Sequence, residues 1–139
     1  MHSFDTNILA YACGLRRVAA DEPKIDFAAR FVPAILAEGG VVIAAQVLAE
    51  LHNLLRRKGL RSPAEAAELA FAFASPAQIV PTDTEVLRAA FDLTAAHGLQ
   101  TYDAIILAAA ARAGCDLLFS EDMQDGFEWG GVRVIDPFA

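Results

Sequence analysis

The fold class that the sequence predicts is an α/β layer sandwich around a largely parallel sheet, and three observations point to it. Helical patterns alternate with short apolar runs along the 139 residues, as successive βαβ units require. The run VVIAA at 41–45 is apolar and mostly β-branched, as a strand buried on both faces should be. A hydrophobic fraction of 55% supplies one sizeable core at this length. Residues 1–139 are therefore expected to form a single domain, without internal repeat, low-complexity tract or linker.

The elements follow in order. MHSF is a short first strand, and TNILAYACGL after it reads as a helix with Asp5, Thr6 and Asn7 available to cap its start. Pro23 introduces a second helix through KIDFAARFVPAILAE, closed by Gly39-Gly40, in which Pro33 marks a kink or break. VVIAA is the second strand. In QVLAELHNLLRRKG, Val47, Leu48, Leu51, Leu54 and Leu55 form one apolar stripe at helical spacing, and Gly59 ends the helix. Ser62, Pro63 and Glu65 make a capping box for a helix reaching about Ala74. QIVP is a short strand. Asp83 or Thr84 caps the next helix, which stops at His97-Gly98, and Thr101 is expected to cap YDAIILAAAARAG. That last helix is apolar all round and so belongs inside. DLLFS and VRVID complete the sheet.

A net charge of −7 argues against a broad basic surface for nucleic acid. It is compatible with a nucleic-acid enzyme whose site is built from carboxylates, because bound cations invert the local sign. The grouped cations Arg16-Arg17 and Arg56-Arg57-Lys58 read first as solvated helix ends that complement the macrodipole. No apolar run reaches the roughly 20 residues of a membrane span, and no basic segment followed by an apolar stretch opens the chain. Cys13 and Cys115 have no Cys-x-x-Cys or Cys/His spacing, so buried free thiols in a reducing cytoplasm are expected. His2, His52 and His97 show no i, i+4 pairing and are not expected to bind metal.

Four acids carry the chemistry. Asp5 follows the first strand, and Asp122 follows DLLFS, with Asp125 three residues further on. Glu50 lies about 100° from the centre of the leucine stripe, at the edge of the buried face. Asp103 is in the first turn of the buried helix. Each has an ordinary reading: a cap, a boundary Glu, a helix-dipole partner, a turn former. Together they fall near strand carboxyl ends, where open parallel sheets bind ligands. Converging carboxylates repel one another unless a cation joins them, and an all-oxygen donor set suits Mg²⁺ or Mn²⁺.

FDTNILAYA, AAQVLAEL, TYDAIILAAA and LLFSEDMQDG resemble the four motif blocks of PIN domains, found notably in the ribonuclease toxins of bacterial VapBC-type toxin–antitoxin pairs. The resemblance implies a three-layer α/β/α sandwich with a parallel sheet of order 3-2-1-4-5, often dimeric. It implies an acidic set of Asp5, Glu50, Asp103 and Asp122, with Asn7 orienting Asp5 and Ser120 hydrogen-bonding it. The last block departs from the family pattern, so either Asp122 or Asp125 can supply the fourth acid. Asp122 is preferred for the metal, with Asp125 as an outer group or a ligand to a second metal. The implied activity is Mg²⁺- or Mn²⁺-dependent cleavage of RNA by a cytoplasmic homodimer held in check by a cognate antitoxin. Two other classes stay open. One is a PIN-fold binding module for RNA or a protein that does not cut. The other, a phosphoaspartate receiver or phosphatase, needs a positioned Lys, and residues 100–139 contain none.

Overall fold

A computed structural model describes residues 1–139. Strands β1 (His2–Phe4), β2 (Val41–Ala44), β3 (Gln78–Val80), β4 (Leu117–Phe119), β5 (Glu128–Trp129) and β6 (Val132–Ile135) form one sheet. The order across it is β3-β2-β1-β4-β6-β5. Every pairing is parallel except the β5–β6 hairpin. The five parallel strands reproduce the expected 3-2-1-4-5 order, with VRVI in fifth place, and β5 is an addition. Its signal was Gly130-Gly131 between Trp129 and Val132. Both glycines have positive φ, and the pairs Trp129–Val132 and Glu128–Arg133 close a two-residue turn.

Helices α1 (Thr6–Ala12), α2 (Glu22–Glu38), α3 (Ala45–Arg57), α4 (Pro63–Ala74), α5 (Thr84–His97) and α6 (Thr101–Arg112) flank the sheet. They pack chiefly as the pairs α1–α2, α3–α4 and α5–α6. The stripe residues Val47, Leu51 and Leu55 of α3 are buried, and α6 is buried without interruption from Ala104 to Ala110. Pro33 does not break α2. The proline removes the partner of the Ala29 carbonyl, but both residues face solvent, where water replaces the lost bond.

Two boundaries differ from expectation. Helix α1 ends at Ala12, so Arg16 and Arg17 lie in the following loop rather than at a helix end. Arg56 and Arg57, in contrast, do occupy the last turn of α3. Thr101 does not cap α6. Gln100 does so, its Oε1 accepting the N–H groups of Tyr102 and Asp103 at 3.0 Å each. The longer amide reaches two orphan donors at once.

At α4 the capping box is complete: Ser62 Oγ accepts from Glu65 N at 3.1 Å, and Ser62 N donates to Glu65 Oε1 at 3.2 Å. Ser62→Ala is expected to lower stability by about 1 kcal/mol, read as a shift in the urea midpoint at unchanged slope. At α5, Asp83 rather than Thr84 is the cap, accepting from Val86 N at 3.0 Å. Both cysteines are free, Cys115 buried and Cys13 half-buried.

The chain leaves β1 for β2 and β3 on one side, then returns to β4 and β6 on the other. The sheet therefore reverses its order between β1 and β4, the place where a crevice opens beyond the strand ends.

Candidate active site

Phe4 pairs with Phe119 in register, and Asp5 N donates to Phe119 O at 2.8 Å, so Asp5 and Ser120 emerge side by side at this crevice. Both are buried, Asp5 at 3% exposure and Ser120 at 0%. Asp5 Oδ2 accepts from Ser120 Oγ at 2.7 Å, and its Oδ1 accepts from Thr6 N at 2.7 Å. The cap and the site are therefore one arrangement: Asp5 caps α1 with Oδ1, is tied to Ser120 through Oδ2, and lines the cavity at the crevice. Asn7 Nδ2 stands 3.5 Å from Asp5 Oδ2, while Asn7 Oδ1 accepts from Glu121 N at 3.3 Å. Ser120 Oγ also accepts from the backbone of Asp122 and Met123, both at 3.2 Å, which curls the chain after β4 and turns Asp122 inward.

A cavity of about 250 Å³ opens here, lined by Asp5, Glu50, Asp103 and Asp122 together with Arg17 and Lys58. Glu50 enters from α3, steadied by Gln46 Nε2 at 3.1 Å and by Thr6 Oγ1 at 3.3 Å. Asp103 enters from the first turn of α6 and Asp122 from the turn after β4. A neighbouring cavity, bounded by His97 and Gln100, shares the Asp103 and Asp122 walls. Asp125 lies outside both cavities, because its Oδ1 accepts the backbone N–H of Asp136 at 2.9 Å. His2 packs on Phe119, and His52 stands against the Pro63 carbonyl.

The electrostatics of the cluster are those of acids without sufficient counter-charge. Burial pushes the Asp5 carboxyl up to about 7, with Asp103 and Glu50 adding to the rise and the Ser120 and Thr6 hydrogen bonds opposing it. Burial, together with the charges of Asp122 and Glu50, raises Asp103 to about 6. No group of three His, Cys, Asp or Glu side chains has closed into a ready metal cage. The donor chemistry nevertheless fits a hard divalent cation: four carboxylates line one cavity, and two of them have raised pKa values that a bound cation would lower.

Beside the cluster lies a network that the motif reading passed over. Glu121, between Ser120 and Asp122, accepts from the Tyr11 hydroxyl at 2.6 Å and Arg17 Nη2 at 2.8 Å, and is paired with Lys24. Lys24 also sits over the Tyr11 and Phe138 rings, 5.8 and 5.6 Å from their centroids. Arg17 Nη1 reaches Asp122 Oδ1 at 3.4 Å. The sequence signal was a second acid in SED, whose partners are about 100 residues away and show no local spacing.

Residues 4–127 match the PIN domain family. The chain belongs to that family. No curated protein sequence matches it. Among solved structures it is similar to a toxin–antitoxin complex from Klebsiella pneumoniae, with TM-score 0.67 and 20% identity over 95% of each chain. It is similar also to VapC20 of Mycobacterium tuberculosis, described as a toxin cleaving the sarcin–ricin loop, with TM-score 0.65 and 21% identity over 88% of this chain and 92% of that one. A third is VapBC2 of Rickettsia felis bound to a promoter DNA fragment, with TM-score 0.61 and 17% identity over 87% of each chain. At these identities the likeness is one of fold. No helix is long and apolar enough to cross a membrane.

Proposed function

We propose that residues 1–139 act as one PIN domain that hydrolyses RNA phosphodiester bonds with Mg²⁺ or Mn²⁺, as the toxin of a VapBC-type pair. The observation that carries this reading is the convergence of Asp5, Glu50, Asp103 and Asp122 on one cavity at the reversal point of the sheet. A fold kept for binding alone has no physical use for a converging, mutually repelling set of acids.

Asp5, Asp103 and Asp122 would hold the cation. When bound, a divalent cation neutralises the cluster, polarises the scissile phosphate and lowers the pKa of an attacking water. Ser120 and Asn7 hold Asp5 in place beside the cavity. Glu50, fixed by Gln46 and Thr6, takes the proton from the attacking water. The water oxygen bonds to phosphorus as the P–O3′ bond breaks. The O3′ leaving group takes a proton from solvent, giving a 3′-hydroxyl and a 5′-phosphate.

Incubating the purified protein with a panel of structured RNAs in Mg²⁺, Mn²⁺ or EDTA tests the reading. Cleavage in either metal, none in EDTA, and 5′-phosphate ends are expected. Metal-independent products with 2′,3′-cyclic phosphate ends would exclude the mechanism. The toxin–antitoxin neighbours also support a cognate antitoxin as partner, and a cytoplasmic homodimer is the setting this reading assigns to the toxin.

A further inference from the structure

Resting on the ribonuclease reading above, we infer that Arg17 grips a phosphate of the RNA backbone at the rim of the acidic cavity, and that Glu121 is its positioning residue. Arg17 is fixed in three ways. Its backbone N–H and that of Val18 donate to Asp21 Oδ2, at 2.8 and 3.1 Å. Its Nη2 donates to Glu121 at 2.8 Å, and its Nη1 leans on Asp122 at 3.4 Å. The side chain is still 49% exposed, and it lines the cavity. A guanidinium has five donors, so several remain free for phosphate oxygens, and its fork suits that geometry.

A purely structural ion pair accounts for less of this. Glu121 already has the Tyr11 hydroxyl on Oε2 and the Lys24 ammonium on Oε1, so its charge is met without Arg17. The contact to Asp122 is long for a charge-assisted bond, so it is the one that yields most readily to a phosphate. The need is clear from the charge balance: a polyanion must approach four carboxylates on a chain of net charge −7. Arg17 and Lys58 are the two cations lining that cavity, and Lys58 is a compact charge at the C-cap of α3. Arg16 cannot substitute, because it turns away to Glu22 at 2.7 Å.

The test compares the wild type with Arg17→Ala, Arg17→Lys and Glu121→Gln on an RNA that the wild type cleaves. Binding is read in EDTA by fluorescence anisotropy across salt, and turnover in Mn²⁺, with thermal melts of each protein. Arg17→Ala is expected to weaken binding about tenfold and to reduce the slope of log K against log[salt] by about 0.7, one phosphate contact. Its KM rises more than its kcat falls. Arg17→Lys should restore the slope without the full affinity, which also decides the matter if Arg17→Ala is unfolded. Glu121→Gln should raise KM while keeping the salt slope. Wild-type KM and slope in Arg17→Ala, or in Arg17→Lys slope loss equal to that of Ala, overturn the assignment while leaving the ribonuclease intact. A wild type that cleaves no RNA overturns both together.

Discussion

Asp103→Asn is expected to cut metal-dependent RNA cleavage by roughly a thousandfold or more while making the metal-free protein more stable. The two effects share a cause. The Asp103 carboxyl is raised to about 6 by burial and by Asp122 and Glu50, and its side chain accepts no hydrogen bond. A carboxyl raised in the folded state contributes stability below its unfolded value near 4, and that contribution is lost as pH rises through about 6. At pH 8 the charged Asp103 therefore burdens the fold, and an amide of the same shape removes the burden. Discounted for its partial exposure, the relief is about 1 kcal/mol, or a rise of roughly 3–5 °C in the melting temperature at pH 8. At pH 4 the difference should vanish. Asp5→Asn should lose activity equally but gain less stability, since an amide cannot accept from both Thr6 N and Ser120 Oγ. Cleavage at the wild-type rate in folded Asp103→Asn protein would remove Asp103 from the mechanism.

Mn²⁺ affinity is expected to rise roughly a hundredfold between pH 5.5 and 7.5, because the metal must displace protons held near 7 on Asp5 and near 6 on Asp103. At pH 5.5 both carboxyls are largely protonated, and binding should release between one and two protons. By pH 7.5 that release should fall well below one. Isothermal titration in two buffers of different ionisation enthalpy reads both quantities. Affinity independent of pH would mean that the buried acids are not the ligands. No heat at either pH would favour a binding module that has kept the fold without the metal.

The parts of this protein legible in its sequence are those written in local spacing. The leucine stripe of α3, the capping box at Ser62, the β-branched β2 and the apolar α6 each follow from neighbours within a turn or two. Strand order could be expected only through the family resemblance, because three-residue strands such as β1 and β4 carry little pattern of their own. Glu50 and Asp103 could be placed because they lie on the patterned helices α3 and α6, whereas Asp5 and Asp122 follow the short β1 and β4 and join the set through the family resemblance. Glu121 was missed because its partners Tyr11, Arg17 and Lys24 come from α1, the loop after it and α2, and nothing in SED announces them. The same limit explains Arg17: reading it as a helix end assumed that α1 ran on past Ala12, where Cys13 and the positive-φ Gly14 in fact stop it. Gln100 escaped notice because Thr101 is the more usual cap, and only the fold shows the amide reaching two N–H groups.

The small hairpin made by β5 changes how this protein meets other chains. An open parallel sheet presents two rows of unpaired backbone groups to any passing extended segment. Here β5 occupies the outer side of β6 and offers only two residues of its own. At the opposite border β3 offers three, of which Gln78 and Ile79 are exposed. Both rims are short, and short edge strands disfavour edge-to-edge pairing. Continuing the sheet from one copy to the next is thereby disfavoured, and the helical layers offer the larger surface for association.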